Sequence, residues 1–116
     1  MRLRLTVNGA AFTARLEDNA AARALASRLP AAWTLQELNG NEKYIYMDQP
    51  FPASAGRPGK IHAGDLMLYG PDCLVLFYRT FLTPYRYTPL GRIEDPSGLE
   101  QAAGRGSAKV TMELIG

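Results

Sequence analysis

The fold is decided near the start of the chain, by the stretch RLRLTVNGAAFTARL at residues 2–16. Residues 2–7 alternate polar and apolar side chains, with the period of a strand that has one buried face. Asn8 and Gly9 follow, and both tolerate the positive φ angles that a two-residue hairpin turn requires. Folding back about this turn pairs only apolar residues: Val7 with Ala10, Leu5 with Phe12, Leu3 with Ala14 and Met1 with Leu16. A shift of one residue would destroy every pair, so the pattern specifies the register.

Two helices are predicted outside this hairpin. Asp18 or Asn19 can cap the first, whose apolar side chains recur at i,i+4 to about Leu29, where Pro30 ends it. Pro suits the first turn of a helix, so residues 96–103 are predicted to form the second, short helix. Further strands are predicted from alternating or continuous apolar runs, at residues 33–38, 44–47, 61–69, 73–79, 85–93 and 107–114.

Three details of these strands bear on the architecture. The run LVLFY at 74–78 is apolar at consecutive positions, which predicts burial by a barrel interior on one face and by a helix on the other. Pro89 predicts an irregular point in its strand, and residues 49–60 are predicted to form a long loop. In the last strand we expect four apolar side chains to face inward: Ala108, Val110, Met112 and Leu114.

The element order predicts a mostly β fold, a closed barrel of about eight strands, with one helix in the N-terminal half and one short C-terminal helix. Closing a twisted sheet removes its exposed edges, and small barrels do this commonly. With 116 residues, the chain is expected to be a single domain spanning 1–116.

Composition excludes several classes of protein. One cysteine and one histidine exclude a disulfide framework, a cysteine-rich zinc site and a paired-histidine metal site. The net charge is +2 and the basic residues are dispersed, so neither nucleic acid nor a membrane is expected as a partner. Residues 1–7 lack the apolar run of a signal peptide, and the apolar run 73–78 is too short to span a bilayer. We therefore expect a cytoplasmic location, with no cofactor and no metal.

Several segments resemble cyclophilins. They are GDLMLYGPD at 64–72 with the strand 74–78, which resembles the central hairpin of that family, and LGRI at 90–93 with the helix after it. The chain is more similar to a bacterial family of short cyclophilin-like proteins of unassigned function, whose pattern runs along nearly its whole length. That pattern includes LNGNEKY at 38–44, GDLMLYG at 64–70, DCLVLFY at 72–78 and LGRI at 90–93. The resemblance implies the cyclophilin-like barrel.

One departure concerns activity. Cyclophilin prolyl isomerases carry a phenylalanine-histidine-arginine motif whose arginine polarises the prolyl amide of the substrate. The corresponding stretch here is EKYIY at 42–46, which contains no arginine. The glutamine-glycine-glycine-aspartate segment of the isomerases is also absent. Isomerase activity is therefore not implied, because function depends on the site rather than the fold. Arg57, in the loop, could replace the missing arginine from another direction.

Candidate ligand-binding residues are a glutamate, an arginine and several tyrosines, because tyrosine joins an apolar body to a polar tip. The alternative for Glu42 is an ion pair beside the turn, and the alternative for each tyrosine is that it fills or rims the barrel. Cys73 is expected to be a buried structural residue and His62 a surface or hydrogen-bonded one, so no catalytic residue is assigned. The candidates are Glu42, Tyr44, Tyr46, Arg57, Tyr69, Tyr78 and Tyr87.

Three functions fit these observations. The first is a binding module for an unknown small molecule or short peptide. The second is an enzyme in the same cleft, either an atypical prolyl isomerase or an activity that uses Glu42 and a tyrosine. The third is a protein-interaction domain that uses a strand edge or the loop 49–60, and a homo-oligomer is compatible with it. Arg79, Arg86 and Arg92 lie among aromatic residues as in single-strand binders, but the low net charge disfavours nucleic acid.

Overall fold

Ten strands and two helices make up the chain in a computed structural model, which describes residues 1–116. The helices are α1 (Ala20–Ser27) and α2 (Leu99–Ala103). The strands are β1 (Arg2–Val7), β2 (Ala10–Leu16), β3 (Ala31–Leu38), β4 (Glu42–Tyr46), β5 (Lys60–Ile61), β6 (Asp65–Tyr69), β7 (Cys73–Phe77), β8 (Phe81–Leu82), β9 (Thr88–Ile93) and β10 (Ala108–Leu114).

Eight of the strands form a closed antiparallel barrel in the order β1-β10-β3-β4-β7-β6-β9-β2, and β2 pairs with β1 again. The remaining two strands, β5 and β8, form a separate two-stranded ribbon. The prediction of a mostly β, closed barrel of about eight strands with two helices is confirmed.

The first hairpin has the register that its apolar pattern predicts. Leu3 lies opposite Ala14, Leu5 opposite Phe12 and Val7 opposite Ala10. The turn residues Asn8 and Gly9 take φ angles of 48° and 93°, as this type of turn requires. The strongest local signal in the sequence therefore specifies the first quarter of the barrel wall.

The barrel closes where β2 meets β9, and glycine allows the two backbones to approach closely. A Cβ at Gly91 would clash with the carbonyl oxygen of Arg15 on the neighbouring strand. The irregular point predicted at Pro89 is present, since the pairing of β9 with β6 shifts register between Leu66 and Met67. Such a shift bends a strand, which helps a small barrel to close.

A helix lies across each end of the barrel. α1 joins β2 to β3 and α2 joins β9 to β10, and these connections lie at opposite ends of the antiparallel strands. Asn19, one of the two predicted caps, accepts a hydrogen bond from the backbone N–H of Ala22. Leu25 of α1 and Leu99 of α2 both join the core that fills the barrel. The interior is therefore packed with side chains and closed at both ends.

The outer face of β7 is covered by the ribbon and not by a helix, so that prediction was wrong. Cys73, Val75 and Phe77 point outward from β7 and form a second apolar cluster with Ile61 of β5 and Tyr87. Both helices lie across the barrel ends, so neither of them covers this face of β7. The ribbon was missed in the sequence because its strands have two residues each, too few to show a period.

Several boundaries and the exposure of one side chain also differ from the prediction. The strand expected over 61–69 breaks at residues 62–64, where Gly64 has a φ of 95° and the carboxylate of Asp65 accepts from the N–H of His62. The strand expected over 85–93 begins only at Thr88, and α2 begins three residues after Pro96. Leu114 lies on the inward face of β10, opposite Leu3, but it is 44% exposed because the pairing of β10 with β3 ends at Met112.

Neither helix has the length and apolar character that crossing a membrane requires.

Candidate functional site

The packed barrel interior leaves the outer surface as the place for a binding site. A cavity of about 300 Å³ lies there, between the β3–β4 turn and the segment that follows β8. Its volume is at the small end of the range for ligand pockets, about 300–1,000 Å³. Its lining comprises Leu38, Asn39, Asn41, Glu42, Tyr69, Phe81, Leu82, Thr83, Pro84, Tyr85 and Tyr87.

Glu42 is the charged side chain of this cavity and has no partner in the protein. It is the first residue of β4, it lies opposite Phe77 in register, and it shares the outer face of the sheet with that residue. Only 9% of Glu42 is exposed, and no group donates a hydrogen bond to its carboxyl. Burial, and secondarily the negative charge of Glu37, raise the pKa of Glu42 to about 7. The group is therefore close to half ionised at neutral pH.

Asn41 adds a second acceptor without a donor beside Glu42. Its side-chain oxygen Oδ1 is buried and accepts no hydrogen bond. Buried polar atoms in proteins nearly always have a partner, since an unpaired one costs about 1–3 kcal/mol. Two consecutive residues at the β3–β4 turn, Asn41 and Glu42, thus carry side-chain oxygens that accept no hydrogen bond from the protein.

Lys43, the next residue, points the opposite way, into the barrel. Its side chain has no exposed surface, and its Nζ lies 2.9 Å from a carboxylate oxygen of Glu37. Nζ also donates to the carbonyl oxygens of Gly104 and Gly106, just after α2. Every donor of this buried ammonium has an acceptor, so Lys43 belongs to the structure of the barrel end rather than to the cavity.

Glu37 is satisfied equally well. Tyr78 donates to one of its oxygens at 2.7 Å, and the N–H of Gly40 donates to the other at 2.6 Å. Burial alone would raise the pKa of Glu37, but the hydrogen bonds from Tyr78, Lys43 and Gly40 outweigh burial and lower it. The two carboxylates on either side of the turn therefore differ: Glu37 is held as an anion, and Glu42 is not.

Aromatic rings build much of the cavity wall. The ring centroids of Tyr69 and Tyr87 are 5.6 Å apart, and those of Tyr69 and Tyr85 are 6.2 Å apart and nearly perpendicular. Tyr87 packs edge-on against Phe77, which in turn packs against Phe81. Burial, and next the charge of Glu42, raise the pKa of Tyr87, so this phenol stays neutral at physiological pH.

Large apolar side chains are exposed around the mouth of the cavity. Of the eight exposed large hydrophobic residues in the protein, four line it. Leu82, in the two-residue strand β8, is 78% exposed. Single exposed leucines are ordinary, but a cluster of them beside a concave surface is typical of a binding site. The four are Leu38, Tyr69, Leu82 and Tyr85.

The structure brings together three of the seven candidate residues, namely Glu42, Tyr69 and Tyr87. Tyr44 and Tyr46 lie further along the outer face of β4, where their rings form a T-shaped pair 6.0 Å apart and the hydroxyl of Tyr44 donates to Gln36.

Two candidates lie elsewhere. Tyr78 is bound to Glu37 inside the barrel end. Arg57 is exposed in the loop 49–60, none of whose residues lines the cavity.

Eight lining residues were not anticipated from the sequence. They occupy the β3–β4 turn and the segment 81–85. In that segment β8 ends, and the N–H of Tyr85 donates a hydrogen bond to the hydroxyl of Thr83. The sequence signal that could have found this segment is Phe81-Leu82, two large apolar residues flanked by the polar or turn-forming Thr80, Thr83 and Pro84.

Three other arginines have partners within the protein. Arg79 pairs with Glu100, Arg92 pairs with the buried Asp65, and Arg86 donates to the carbonyl oxygen of Ala55. No group of three or more histidine, cysteine, aspartate or glutamate side chains is placed to hold a metal ion.

Cys73 is a buried thiol on the outer face of β7. Burial, followed by the charges of Asp72 and Glu42, raises its pKa to about 11. It is therefore protonated at neutral pH, and a thiol in that state is a poor nucleophile.

Comparison with known proteins is consistent with this architecture. The model of a family described as the cyclophilin-like family matches residues 5–113. The solution structure of a hypothetical protein from Archaeoglobus fulgidus superposes with a TM-score of 0.63 at 20% identity, over 99% of this chain and 95% of that one. At that identity the likeness shows the fold alone, and the relative is archaeal rather than bacterial. No curated protein matches the chain.

Proposed function

The chain belongs to the cyclophilin-like family, and from that premise we propose that it is a binding module that takes a small molecule or short peptide into the cavity beside Glu42. The cavity is concave, and its lining combines aromatic and apolar side chains with a few polar groups, which is the usual composition of a ligand pocket. No arginine lines it, so the polarising group of a prolyl isomerase is missing from its walls.

One observation carries the proposal: Glu42 is nine-tenths buried as a residue, and no protein group donates a hydrogen bond to its carboxyl. Burying an unpaired polar group costs free energy, and a lone carboxyl responds by shifting its pKa rather than by ionising. A ligand that supplies the missing donor would recover this cost. Perturbed ionisable groups in clefts are therefore enriched at functional sites.

The proposal can be tested by screening a fragment library against the ¹⁵N-labelled protein. Binding should shift the amide resonances of residues 38–42 and 81–87, which surround the cavity. Tyr85→Ala removes an exposed part of the cavity wall and should weaken the hits, whereas Tyr46→Ala, equally exposed but outside the cavity, should not. A library without hits, or hits that both variants weaken equally, would contradict a binding role for this cavity.

A second candidate function is an enzyme in which Glu42 transfers a proton. The observation that favours it is the pKa of about 7, since a general acid or base works best when its pKa is near the working pH. A proline-peptide isomerisation assay tests the form of this activity that the family suggests. Turnover that Glu42→Gln abolishes would support it, and the absence of turnover would remove isomerisation from consideration.

We also propose a cytoplasmic location. Its support is the single cysteine, which is free and buried, since disulfides are the mark of oxidising compartments. Immunolocalisation of a tagged chain in its own host tests this proposal, and recovery outside the cytoplasm would contradict it.

A further inference from the structure

Two side chains of the cavity lining have oxygen atoms that receive no hydrogen bond from the protein. One of them is an acid, and the lining has no basic side chain to pair with it. Glu42 is its one ionisable side chain other than the tyrosines, and no lysine, arginine or histidine lines it. The Glu42 carboxyl and the oxygen of Asn41 both lack a donor. A ligand that completes this site must therefore bring N–H or O–H groups, and a positive charge would also compensate Glu42.

The aromatic wall of the cavity also favours a positively charged ligand. The negative faces of aromatic rings attract cations within about 6 Å, and an ammonium that loses its water gains most from them. Tyr69 packs against both Tyr85 and Tyr87, and all three line the same cavity as Glu42. A carboxylate and tyrosine rings around one cavity are complementary to an ammonium group carried on an apolar stem.

We propose that the cavity binds an organic ammonium cation, whose N–H groups bond to Glu42 and whose apolar stem packs against Tyr69, Tyr85 and Tyr87. This inference rests on the binding function proposed above and names the chemical class of the ligand. The ammonium can belong to a free amine or to a lysine side chain of a peptide. The volume of about 300 Å³ suits a single such group rather than a nucleotide-sized ligand.

The decisive experiment uses three probes of one shape and different charge: 2-phenylethylammonium, neutral 2-phenylethanol and anionic phenylacetate. Amide shifts of residues 38–42 and 81–87 give each dissociation constant. The ammonium should bind at least about tenfold more tightly than the alcohol, which is the gain expected from one charge-assisted hydrogen bond. The anion should bind more weakly than either.

Two glutamate variants locate the charge that is responsible. Glu42→Gln should lower the affinity for the ammonium by about tenfold and so erase its advantage over the alcohol. Glu113→Gln, on the exposed face of β10 where Glu113 pairs with Arg4, is the matched control and should bind as the parent does. An ammonium preference that survives in Glu42→Gln would overturn the proposal.

The pH dependence gives a second readout. Affinity for the ammonium should rise about tenfold between pH 6 and pH 8 as Glu42 ionises. The charges of Glu37, Cys73 and Tyr87 are coupled to that of Glu42, but Glu37 is held as an anion, and Cys73 and Tyr87 stay neutral over this range. His62 lies across β7 beside Asp65, and Glu42→Gln separates its contribution from that of Glu42. An affinity that does not change with pH would contradict the proposal.

Two further probes distinguish the source of the ammonium. A capped Gly-Lys-Gly peptide and its acetyl-lysine analogue test the peptide, and phenylethylammonium tests the free amine. If the neutral or anionic probes bind in the cavity as tightly as the cations do, the ammonium proposal fails while the binding function stands. If no probe and no fragment shifts these resonances, both fail.

Discussion

Glu42 and Lys43 are neighbours in the chain but belong to different regions of the molecule. Lys43 points into the barrel end, where Glu37 and the carbonyl oxygens of Gly104 and Gly106 accept all of its N–H groups. Glu42 points outward into the cavity and finds no partner. Both are buried charged residues of one strand, and the alternation of side chains along β4 sends them to opposite faces.

This difference separates a structural polar group from a functional one. A buried charge with all its hydrogen bonds made holds the fold together, and its loss is costly. A buried charge with none destabilises the fold, so its presence indicates another use. The ion pair beside the turn, which the sequence allows for Glu42, is formed instead by Lys43 and Glu37.

The largest effect is expected at the barrel end. Lys43→Met should lower the free energy of unfolding by about 4 kcal/mol, because it removes the buried cation that pairs with Glu37 and that donates to the carbonyl oxygens of Gly104 and Gly106. Urea denaturation measures this. Lys109→Met, at an exposed position of β10, is the control and should change stability by less than about 0.5 kcal/mol. Equal losses in the two variants would remove the distinction between the regions.

The cavity should instead show a stability that falls as pH rises. The pKa of Glu42 is about 7 in the folded protein and near 4.5 when unfolded, so the folded state holds an extra proton between these values. The protein should therefore lose about 3 kcal/mol of stability through Glu42 from pH 4.5 to pH 7, with little further change above. Denaturation of Glu42→Gln over the same range should lack this loss, and a parallel profile for both proteins would contradict it.

A smaller effect is expected from removing one hydroxyl of the barrel-end network. Tyr78→Phe deletes the donor to Glu37 and should cost about 1–2 kcal/mol, whereas Glu37 keeps its bonds from Lys43 and Gly40. Tyr44→Phe is the matched change on the outer face, where the hydroxyl donates at 3.3 Å to an exposed Gln36, and should cost almost nothing. Thermal unfolding compares them, and equal costs would show that the network adds no stability.

The smallest effect is expected at Arg57. This side chain is exposed in the loop 49–60 and does not line the cavity. Arg57→Ala should change the free energy of unfolding by less than about 0.5 kcal/mol, and the affinity of any cavity ligand by less than about twofold. A tenfold loss of affinity would show that the loop closes over the ligand and would revive Arg57 as a substitute for the missing isomerase arginine.

The sequence predicts the parts of this fold that depend on short-range patterns. The alternation and turn at residues 2–16 predict the first hairpin and its register, and Asn19 caps the helix that follows. The resemblance of the later segments to cyclophilins additionally predicts that the barrel is closed. These features depend on neighbours within a few residues or on motifs that the chain displays directly.

The site depends on placements that no local pattern shows. The ribbon that covers β7 has two residues in each strand. The turn that follows β8 brings Tyr85 back toward Tyr69. On β4 the charged Lys43 points into the barrel and the tyrosines point outward, the reverse of what their polarity predicts. This arrangement is possible because backbone carbonyl oxygens after α2, more than sixty residues away, accept hydrogen bonds from Lys43.

The central claim, that Glu42 is a buried acid with no partner in the protein, has one direct test. A ¹³C NMR titration of the Glu42 side-chain carboxyl carbon measures its ionisation without a ligand. The midpoint should lie near pH 7. A midpoint near the ordinary value of 4.5 would show instead that water or a protein donor already satisfies the carboxyl, so that Glu42 is not an unpartnered buried acid.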